Sequence, residues 1–271
     1  MYATDFEYDG QCLSDYGCIV CTFDDVNGVN IVDVGSKITF NTTSMHAGKK
    51  YGLTSTQYDT CIQAPFDICK NPDVYDSDNM EFTDYEYREI ARWLNRKEFL
   101  KFRIIDDDHE IDTCYYDASF NLEEIKIGEK LYGIRLTMDT NRPFGYGEEQ
   151  SEIWEITDTS LTYKLTDVSD EIGYIYPDMT ITCNGDGDLS IKNVTEDVCM
   201  VIKNCSAGEV IDIYGDEMII ETSSSAHAIY NDFNFEFFRI ANTLANRINE
   251  ITVSLPCKLE IRYSPIVKGT F

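Results

Sequence analysis

The chain has 271 residues, and its 49 acidic and 22 basic side chains give a formal net charge of −27 at pH 7. This charge argues against binding of DNA or RNA by phosphate neutralisation, and against an anionic membrane surface as a partner. The sequence does not show the basic start and following apolar run of a secretory signal. No stretch approaches the roughly 20 apolar residues of a membrane span. We therefore expect a soluble protein made in the cytosol, where its ten scattered cysteines stay reduced.

The expected fold class is mostly β, in two domains. Tyrosine and phenylalanine are plentiful, and alternation between turns is the commonest local pattern. Two domains are the default at this length. We predict a first domain over residues 1–144 and a second over residues 145–271, with a linker at 145–150.

Strands and a long hairpin open the first domain. Phe6 and Tyr8 begin a strand that turns at Asp9 and Gly10. Alternation over about 37–64 predicts a hairpin arm that is too polar to bury much surface, and we expect Pro65 to block further pairing. The role of this arm is left open by its sequence.

A single convincing helix is predicted over about 83–97. Thr83 and Glu86 have the spacing of a capping box at its start. An apolar stripe at helical period follows, made of Tyr87, Ile90, Ala91 and Leu94. The period then changes to two, which predicts strands over 99–105, 111–120 and 132–138. We expect this helix to lie on antiparallel strands.

The second half contains strand patterns separated by Gly, Asn and Asp turns. The spacing of these turns is typical of a β-sandwich. The predicted strands are 153–165, 174–182, 189–192, 199–203, 210–213, 218–222, 235–239, 248–254 and 258–263.

No metal site is predicted. Cys18 and Cys21 form a C-x-x-C, but in a strand their thiols point to opposite faces and cannot share a zinc ion. Residues 184–188 imitate the start of a calcium loop, yet Leu189 stands where Gly is required and Thr195 where Glu is required.

No catalytic constellation is found either. His46, His109 and His227 lie in polar, turn-like sequence, and we expect them on the surface. Carboxylates are too abundant for any pair of them to indicate a glycosidase. The sequence therefore predicts a protein that is not an enzyme and has no cofactor.

A cluster of cations departs from the acidic background. Arg88, Arg92 and Arg96 recur at i, i+4 and i+8 opposite the apolar stripe, and Lys97 adjoins them. We call these four residues the basic ridge. One interpretation is a solvated helix face with weak local ion pairs. The other is an inter-subunit contact with the acidic surface of a neighbouring copy, since arginine is enriched at interfaces.

Trp154 is the candidate for a glycan contact, because aromatic rings stack on sugars. An aromatic residue in a β-sandwich is, however, more often part of the core. Both interpretations stay open at this point.

Several stretches together resemble the distal tail protein (Dit) family of long-tailed, non-contractile bacteriophages. They are YEYREIARWL at 85–94, FLKF at 99–102, Tyr115 with Tyr116, and NRPF at 141–144. The opening residues 1–23, with FEYDG and SDYG, are similar to the start of that family. Residues 181–188 and 208–209 resemble its galectin-like β-sandwich.

The resemblance implies a ring-forming N-terminal domain with one α-helix, followed by a galectin-like β-sandwich. It implies a hub in the virion tail tip, typically a hexamer, assembled in the bacterial host cytoplasm. The expected partners are other copies of the chain, the tail tube protein, a tail-associated or fibre protein, the tape-measure protein and a receptor-binding protein. DNA would pass through the channel without stable binding, and no membrane insertion is expected. The alternative is a carbohydrate-binding or adhesion module that uses the second domain.

Overall fold

The computed structural model describes residues 4–23, 38–45, 50–58, 61–105, 114–243 and 245–268. The chain divides into two compact units, Met1–Gly147 together with Val267–Phe271, and Glu148–Ile266. The sequence pattern predicts a division between residues 144 and 145. In the structure the first unit continues to Gly147 and also includes the end of the chain.

The first unit combines strands with one long helix, α1 (Asp84–Leu94), which lies between its sixth and seventh strands. The strands of this unit, in chain order, are β1 (Asp5–Tyr8), β2 (Gln11–Cys12), β3 (Cys18–Cys21), β4 (Ile38–Met45), β5 (Lys50–Tyr58), β6 (Gln63–Lys70), β7 (Leu100–Ile105), β8 (Tyr115–Ile127), β9 (Lys130–Thr140) and β10 (Gly145–Tyr146). Leu13–Tyr16 and Ser77–Asn79 form short 3-10 turns.

Most of these strands form one antiparallel sheet, in the order β2-β1-β7-β8-β9-β6-β3 within the described residues. β10 pairs with β8. β8 extends to Ile127, beyond the predicted end at 120, because β9 pairs with it as far as the Ile127–Lys130 position. Gly128, with φ of 68°, makes the left-handed turn between the two strands.

Pro65 does not block pairing, so that prediction was wrong. Pro65 lies inside β6, opposite Thr137 of β9. The other neighbour of β6 is β3, which pairs only with residues 67–70. Proline lacks an N–H to donate, and at this position β6 has no described partner strand on the β3 side. The sheet therefore loses no hydrogen bond on that side.

The start of α1 has the predicted capping box. The Glu86 N–H donates to the Thr83 hydroxyl over 3.3 Å, and the Thr83 N–H donates to the Glu86 carboxylate over 2.7 Å. Ile90, Trp93 and Leu94 are buried against the sheet. The expected helix on antiparallel strands is therefore present.

Trp93 is the centre of the packing between α1 and the sheet. Its ring stacks on Tyr16 at 4.5 Å and on Phe6 at 5.7 Å between centroids. Its indole N–H donates to the backbone oxygen of Tyr8 over 3.0 Å. The predicted apolar stripe did not include Trp93.

The helix ends at Leu94, three residues before the predicted end at 97. The side-chain amide of Asn95 donates to the backbone oxygen of Phe120 on β8 over 2.8 Å. Next, the Ser119 hydroxyl donates to the backbone oxygen of Arg96 over 2.6 Å. These bonds hold the chain after Leu94 along β8, which is why the helix does not continue.

The second unit contains strands and one helical turn, α2 (Ile229–Asp232). Its strands are β11 (Gln150–Ile156), β12 (Thr162–Thr166), β13 (Gly173–Ile175), β14 (Asp178–Cys183), β15 (Gly187–Asn193), β16 (Val198–Cys205), β17 (Val210–Tyr214), β18 (Ile219–Thr222), β19 (Ile240–Asn242), β20 (Ile248–Val253) and β21 (Cys257–Tyr263). The last strand of the described residues, β22 (Ile266–Val267), pairs with β10.

Two antiparallel sheets make a sandwich in the second unit. In the described residues their strand orders are β11-β21-β14-β17-β18 and β12-β20-β15-β16. Their inward side chains share one apolar core, for example Ile181 and Leu259 from one sheet with Ile191 and Ile251 from the other. The β13–β19 pair adds Ile240 to this core. The expected mostly-β class is confirmed.

Three predicted strands of this unit were wrong in extent or kind. The predicted strand 153–165 is two strands, β11 and β12, which belong to different sheets. The predicted strand 174–182 is interrupted between β13 and β14. The predicted strand 235–239 is a loop, because Phe235 has a φ of 57°, in the left-handed region that strands do not use.

Candidate functional site

The basic ridge is solvent-exposed on the first unit. Arg88 and Arg92 project from α1, whereas Arg96 and Lys97 follow the end of the helix. Because the helix stops at Leu94, Arg96 does not continue the i, i+4 row. Arg92 forms a local ion pair with Glu89 at 3.0 Å. Within the described ranges no ion pair of Arg88, Arg96 or Lys97 is found, whereas all three side chains are exposed.

Neighbouring cations are engaged inside the unit and do not extend the ridge. The Lys101 ammonium lies 3.9 Å from the ring centroid of Tyr115. The Arg103 guanidinium binds the Glu7 carboxylate at 2.6 and 2.9 Å. These contacts hold β7 against β8 and β1.

The hairpin of β4 and β5 stands apart from the sheet. The two strands pair with each other, and no other strand of the described residues pairs with either of them. A two-stranded hairpin of this kind is at best marginally stable in water. Its outer edges carry backbone N–H and C=O groups that a further strand could satisfy.

One face of this hairpin is apolar. Ile38 and Phe40 alternate along β4, and a register shift after Asn41 places Leu53 opposite Thr42, on the same face. Ile38, Phe40 and Leu53 are 46%, 63% and 60% exposed. We call these three residues the apolar hairpin face. Large apolar side chains gathered on one exposed surface are typical of a contact site.

The base of the hairpin is fixed to its own unit. The Tyr58 ring packs edge-on against Phe144 with 4.7 Å between centroids. The Lys268 ammonium donates to the Tyr58 hydroxyl over 3.1 Å. The hairpin is therefore anchored at one end, where Ile38 pairs with Tyr58, and Phe40 and Leu53 lie farther along it.

Trp154 is half-buried on β11 and packs against the core of the second unit. Its ring stacks on Tyr163 at 5.1 Å, with an angle of 23° between the planes. One ring face is therefore already covered by the protein. Glycan contact by Trp154 stays a prediction, for which a glycan array comparing the protein with Trp154→Ala is the direct measurement.

The side chain of His227 is buried, and the expectation of a surface histidine was wrong for it. Its ring lies 2.6 Å from the Glu209 carboxylate. Turn-like sequence around His227 gave no sign of this partner, because Glu209 lies in a different turn of the chain. His46 and His109 fall outside the described residues.

Candidate ligands for a metal ion are not gathered anywhere in the part of the chain that the structure describes. No group of three or more His, Cys, Asp or Glu side chains has a suitable arrangement there. Among the described helices, none has the length and apolar character that crossing a membrane requires. The surfaces that remain as candidates for function are the basic ridge and the apolar hairpin face.

Comparison with known proteins gives two family matches. A family described as phage tail protein N-terminal domain matches residues 1–142, and one described as phage tail C-terminal domain matches residues 144–263. No curated protein matches the chain.

A solved structure shares the fold. The crystal structure of the SPP1 Dit protein, described as a paradigm of the hub adsorption apparatus in phages infecting Gram-positive bacteria, is similar at a TM-score of 0.69. Sequence identity is 10%, and the match covers 96% of this chain and 98% of that chain. At this identity the likeness concerns the fold alone.

Proposed function

The chain belongs to the phage tail protein family, and on that premise we propose that it is the structural hub of a phage tail tip. Copies assemble into a homohexameric ring with a channel for DNA. The ring joins the tail tube protein to the tail-associated or fibre protein, next to the tape-measure protein. The second unit, a galectin-like sandwich, presents or supports receptor-binding proteins. Assembly takes place in the bacterial host cytoplasm. The fold shared with SPP1 Dit supports this assignment.

The observation that carries the proposal is the apolar hairpin face. Burying three large apolar side chains is favourable by about 25 cal/mol per Å² of apolar surface, whereas leaving them in water gains nothing. A second copy of the chain supplies that burial in a ring. The hairpin is anchored at its base by Tyr58, so it can meet a neighbour without losing its place in its own unit.

Charge supports the proposal in two further ways. A chain with a net charge of −27 repels its copies, so cations placed at their contacts lower the cost of association. The exposed basic ridge supplies such cations. An acidic protein also offers few sites to which DNA phosphates adhere, which suits a channel through which DNA passes.

The test removes the apolar hairpin face without changing the pairing of the strands. Phe40→Thr combined with Leu53→Thr keeps residues with high β propensity but removes both large apolar side chains. We expect the variant to stay folded and to lose the ring, because the burial that drives association is gone. Mass from light scattering, together with circular dichroism, measures both properties.

A control substitutes the other face of the hairpin. Gln57→Thr lies opposite Thr39 and off the apolar face, so ring formation should be unchanged. A wild-type chain that stays monomeric at high concentration, even with tail tube protein added, contradicts the ring. A ring that survives the double substitution leaves the hub possible but removes the apolar hairpin face as its contact.

A further inference from the structure

The buried side chain of His227 lies between two carboxylates of the second unit. The His227 side chain is 3% exposed. Its Nδ1 lies 2.6 Å from Glu209 Oε1, and its Nε2 lies 3.5 Å from Asp232 Oδ2. Glu209 precedes β17, and Asp232 ends α2. The imidazole therefore bridges the turn before β17 and the helical turn.

Both carboxylates are held by other donors. The Ser206 N–H donates to Glu209 Oε2 over 2.9 Å, and the Thr222 hydroxyl donates to Glu209 Oε1. The Asn204 side-chain amide donates to Asp232 Oδ1 over 3.0 Å. Neither carboxylate can rotate away from His227 without breaking one of these bonds. The site thus presents two fixed negative groups to one ring.

The surroundings of His227 favour its charged form. Burial by itself lowers the pKa of the imidazole, but the hydrogen bond and charge of Glu209, with contributions from Cys205 and Asp232, outweigh burial and raise it. For Glu209 the signs are opposite. Burial raises the pKa of this carboxyl group, but the hydrogen bonds from Thr222 and His227 outweigh burial and lower it. Glu209, Asp232 and Cys205 are the titratable groups that act on His227 from the packed elements.

When His227 loses a proton, the contact of its Nε2 with Asp232 changes from attractive to repulsive. Neutral His227 can keep an N–H on Nδ1 for Glu209, but Nε2 then becomes an acceptor. It faces the Asp232 carboxylate, which is also an acceptor, and it has no hydrogen-bond partner among the described residues. A buried polar atom without a partner, next to a negative charge, is costly.

The contact that changes is made by Asp232, at the end of α2, and an aromatic segment follows it. α2 buries Ile229 in the core and leads into Phe233, which bridges to Ile202 of β16. The side chain of Asn234 donates to the Cys199 backbone oxygen over 2.9 Å. Phe235 follows, 66% exposed and in the left-handed backbone conformation, which costs energy for a bulky residue. The segment 228–237 therefore depends on its attachments for this conformation.

We propose that His227 is a proton-dependent latch that holds the segment 228–237 on the sandwich when charged and loosens it when neutral. The folded state raises the pKa of His227, so the stabilisation is complete below the unfolded value of about 6.5 and is lost as pH rises through the folded value. Each unit by which folding raises this pKa corresponds to about a tenfold increase in the opening equilibrium after deprotonation.

Hydrogen exchange measured by mass spectrometry between about pH 6 and pH 9, corrected for intrinsic exchange rates, tests the latch. We expect protection of residues 228–237 to fall about tenfold or more with rising pH, while β14 and β21 stay protected. His227→Gln should show no such step. His46→Gln and His109→Gln, which remove the other two histidines of the chain, should keep it.

A second variant covers the case in which His227→Gln does not fold. Asp232→Asn keeps an oxygen for the Asn204 amide and adds an N–H that can donate to neutral Nε2. Its segment should therefore stay protected at alkaline pH. A wild-type segment whose protection does not change with pH, or an unchanged step in Asp232→Asn, overturns the proposal.

Discussion

At single positions of the second unit, close contacts with backbone atoms determine which residue type fits. Gly215 lies in the turn between β17 and β18, and its N–H donates to the Asp178 carboxylate over 2.9 Å. A Cβ at this position would lie 2.1 Å from the Tyr176 backbone oxygen and 2.5 Å from that of Pro177. Backbone atoms cannot move aside as a flexible side chain can, so only glycine fits here.

We expect Gly215→Ala to destabilise the second unit by roughly 1–3 kcal/mol, the usual cost of forcing extra atoms into packed structure. Gly185→Ala is the matched control, because its Cβ would meet only Leu255 Cδ1, at 3.8 Å. The control should change stability by less than about 0.5 kcal/mol. Thermal unfolding measures both variants, and equal losses would contradict this account of Gly215.

At the scale of elements, α1 is fixed to the sheet at both ends. Near its start Glu86 binds the buried Lys70 ammonium of β6 at 2.8 Å, in addition to its bond with Thr83. At its other end Asn95 binds β8. Local signals predicted the start of the helix because a capping box is read within four residues. The end depends on β8, which is distant in sequence.

Glu86 should make the stability of the first unit depend on acidity. Burial raises the pKa of Glu86, but hydrogen bonds from Lys70 and Thr83 lower it below the usual value on balance. Its stabilisation is therefore present above the unfolded pKa of about 4.3 and is lost as pH falls through the lower folded value. Glu86→Gln should melt at a lower temperature than the wild type at neutral pH, and the difference should shrink at acid pH.

Calorimetric melting at a series of pH values measures this difference. Glu89→Gln is the control on the same helix, since Glu89 pairs with the exposed Arg92 and such surface pairs contribute little. A gap between wild type and Glu86→Gln that persists unchanged at acid pH would rule out the assigned role of Glu86.

At the scale of the whole molecule, the excess of negative charge opposes assembly of several copies, whereas exposed cations at the contacts favour it. Charge repulsion between copies is screened over about 8 Å at physiological ionic strength, so contacts at short range decide association. The basic ridge and the apolar hairpin face are both exposed on the first unit. Both are therefore available for such short-range contacts.

Arg88→Glu combined with Arg92→Glu should leave the monomer folded, because both side chains are exposed, and should impair ring formation. Lys164→Glu with Lys192→Glu changes the net charge equally on the second unit and is the matched control. Light scattering across a concentration series compares the two. If the ridge variant forms a ring of normal stability, the basic ridge is not an inter-subunit contact. If both variants form the ring equally poorly, the change in net charge alone explains the loss.

Local sequence determined the fold class of this protein, the start of its long helix and the family that it resembles. Alternation and turns predicted a mostly-β chain, Thr83 and Glu86 predicted the start of α1, and both are confirmed. The resemblance of residues 85–94 and the other stretches to distal tail proteins is confirmed by the family matches and the shared fold. These features depend on residues close together in the chain, so a pattern is enough to read them.

Only the tertiary structure decided which distant residues meet. Periodicity could not show that β11 and β12 belong to different sheets, or that β6 accepts Pro65, because it does not identify partner strands. It also could not show that Glu209 would bury His227. The physical reason is the same in each case. A residue's pattern reports its neighbours in the chain, whereas burial, pairing and charge depend on residues that folding brings from elsewhere.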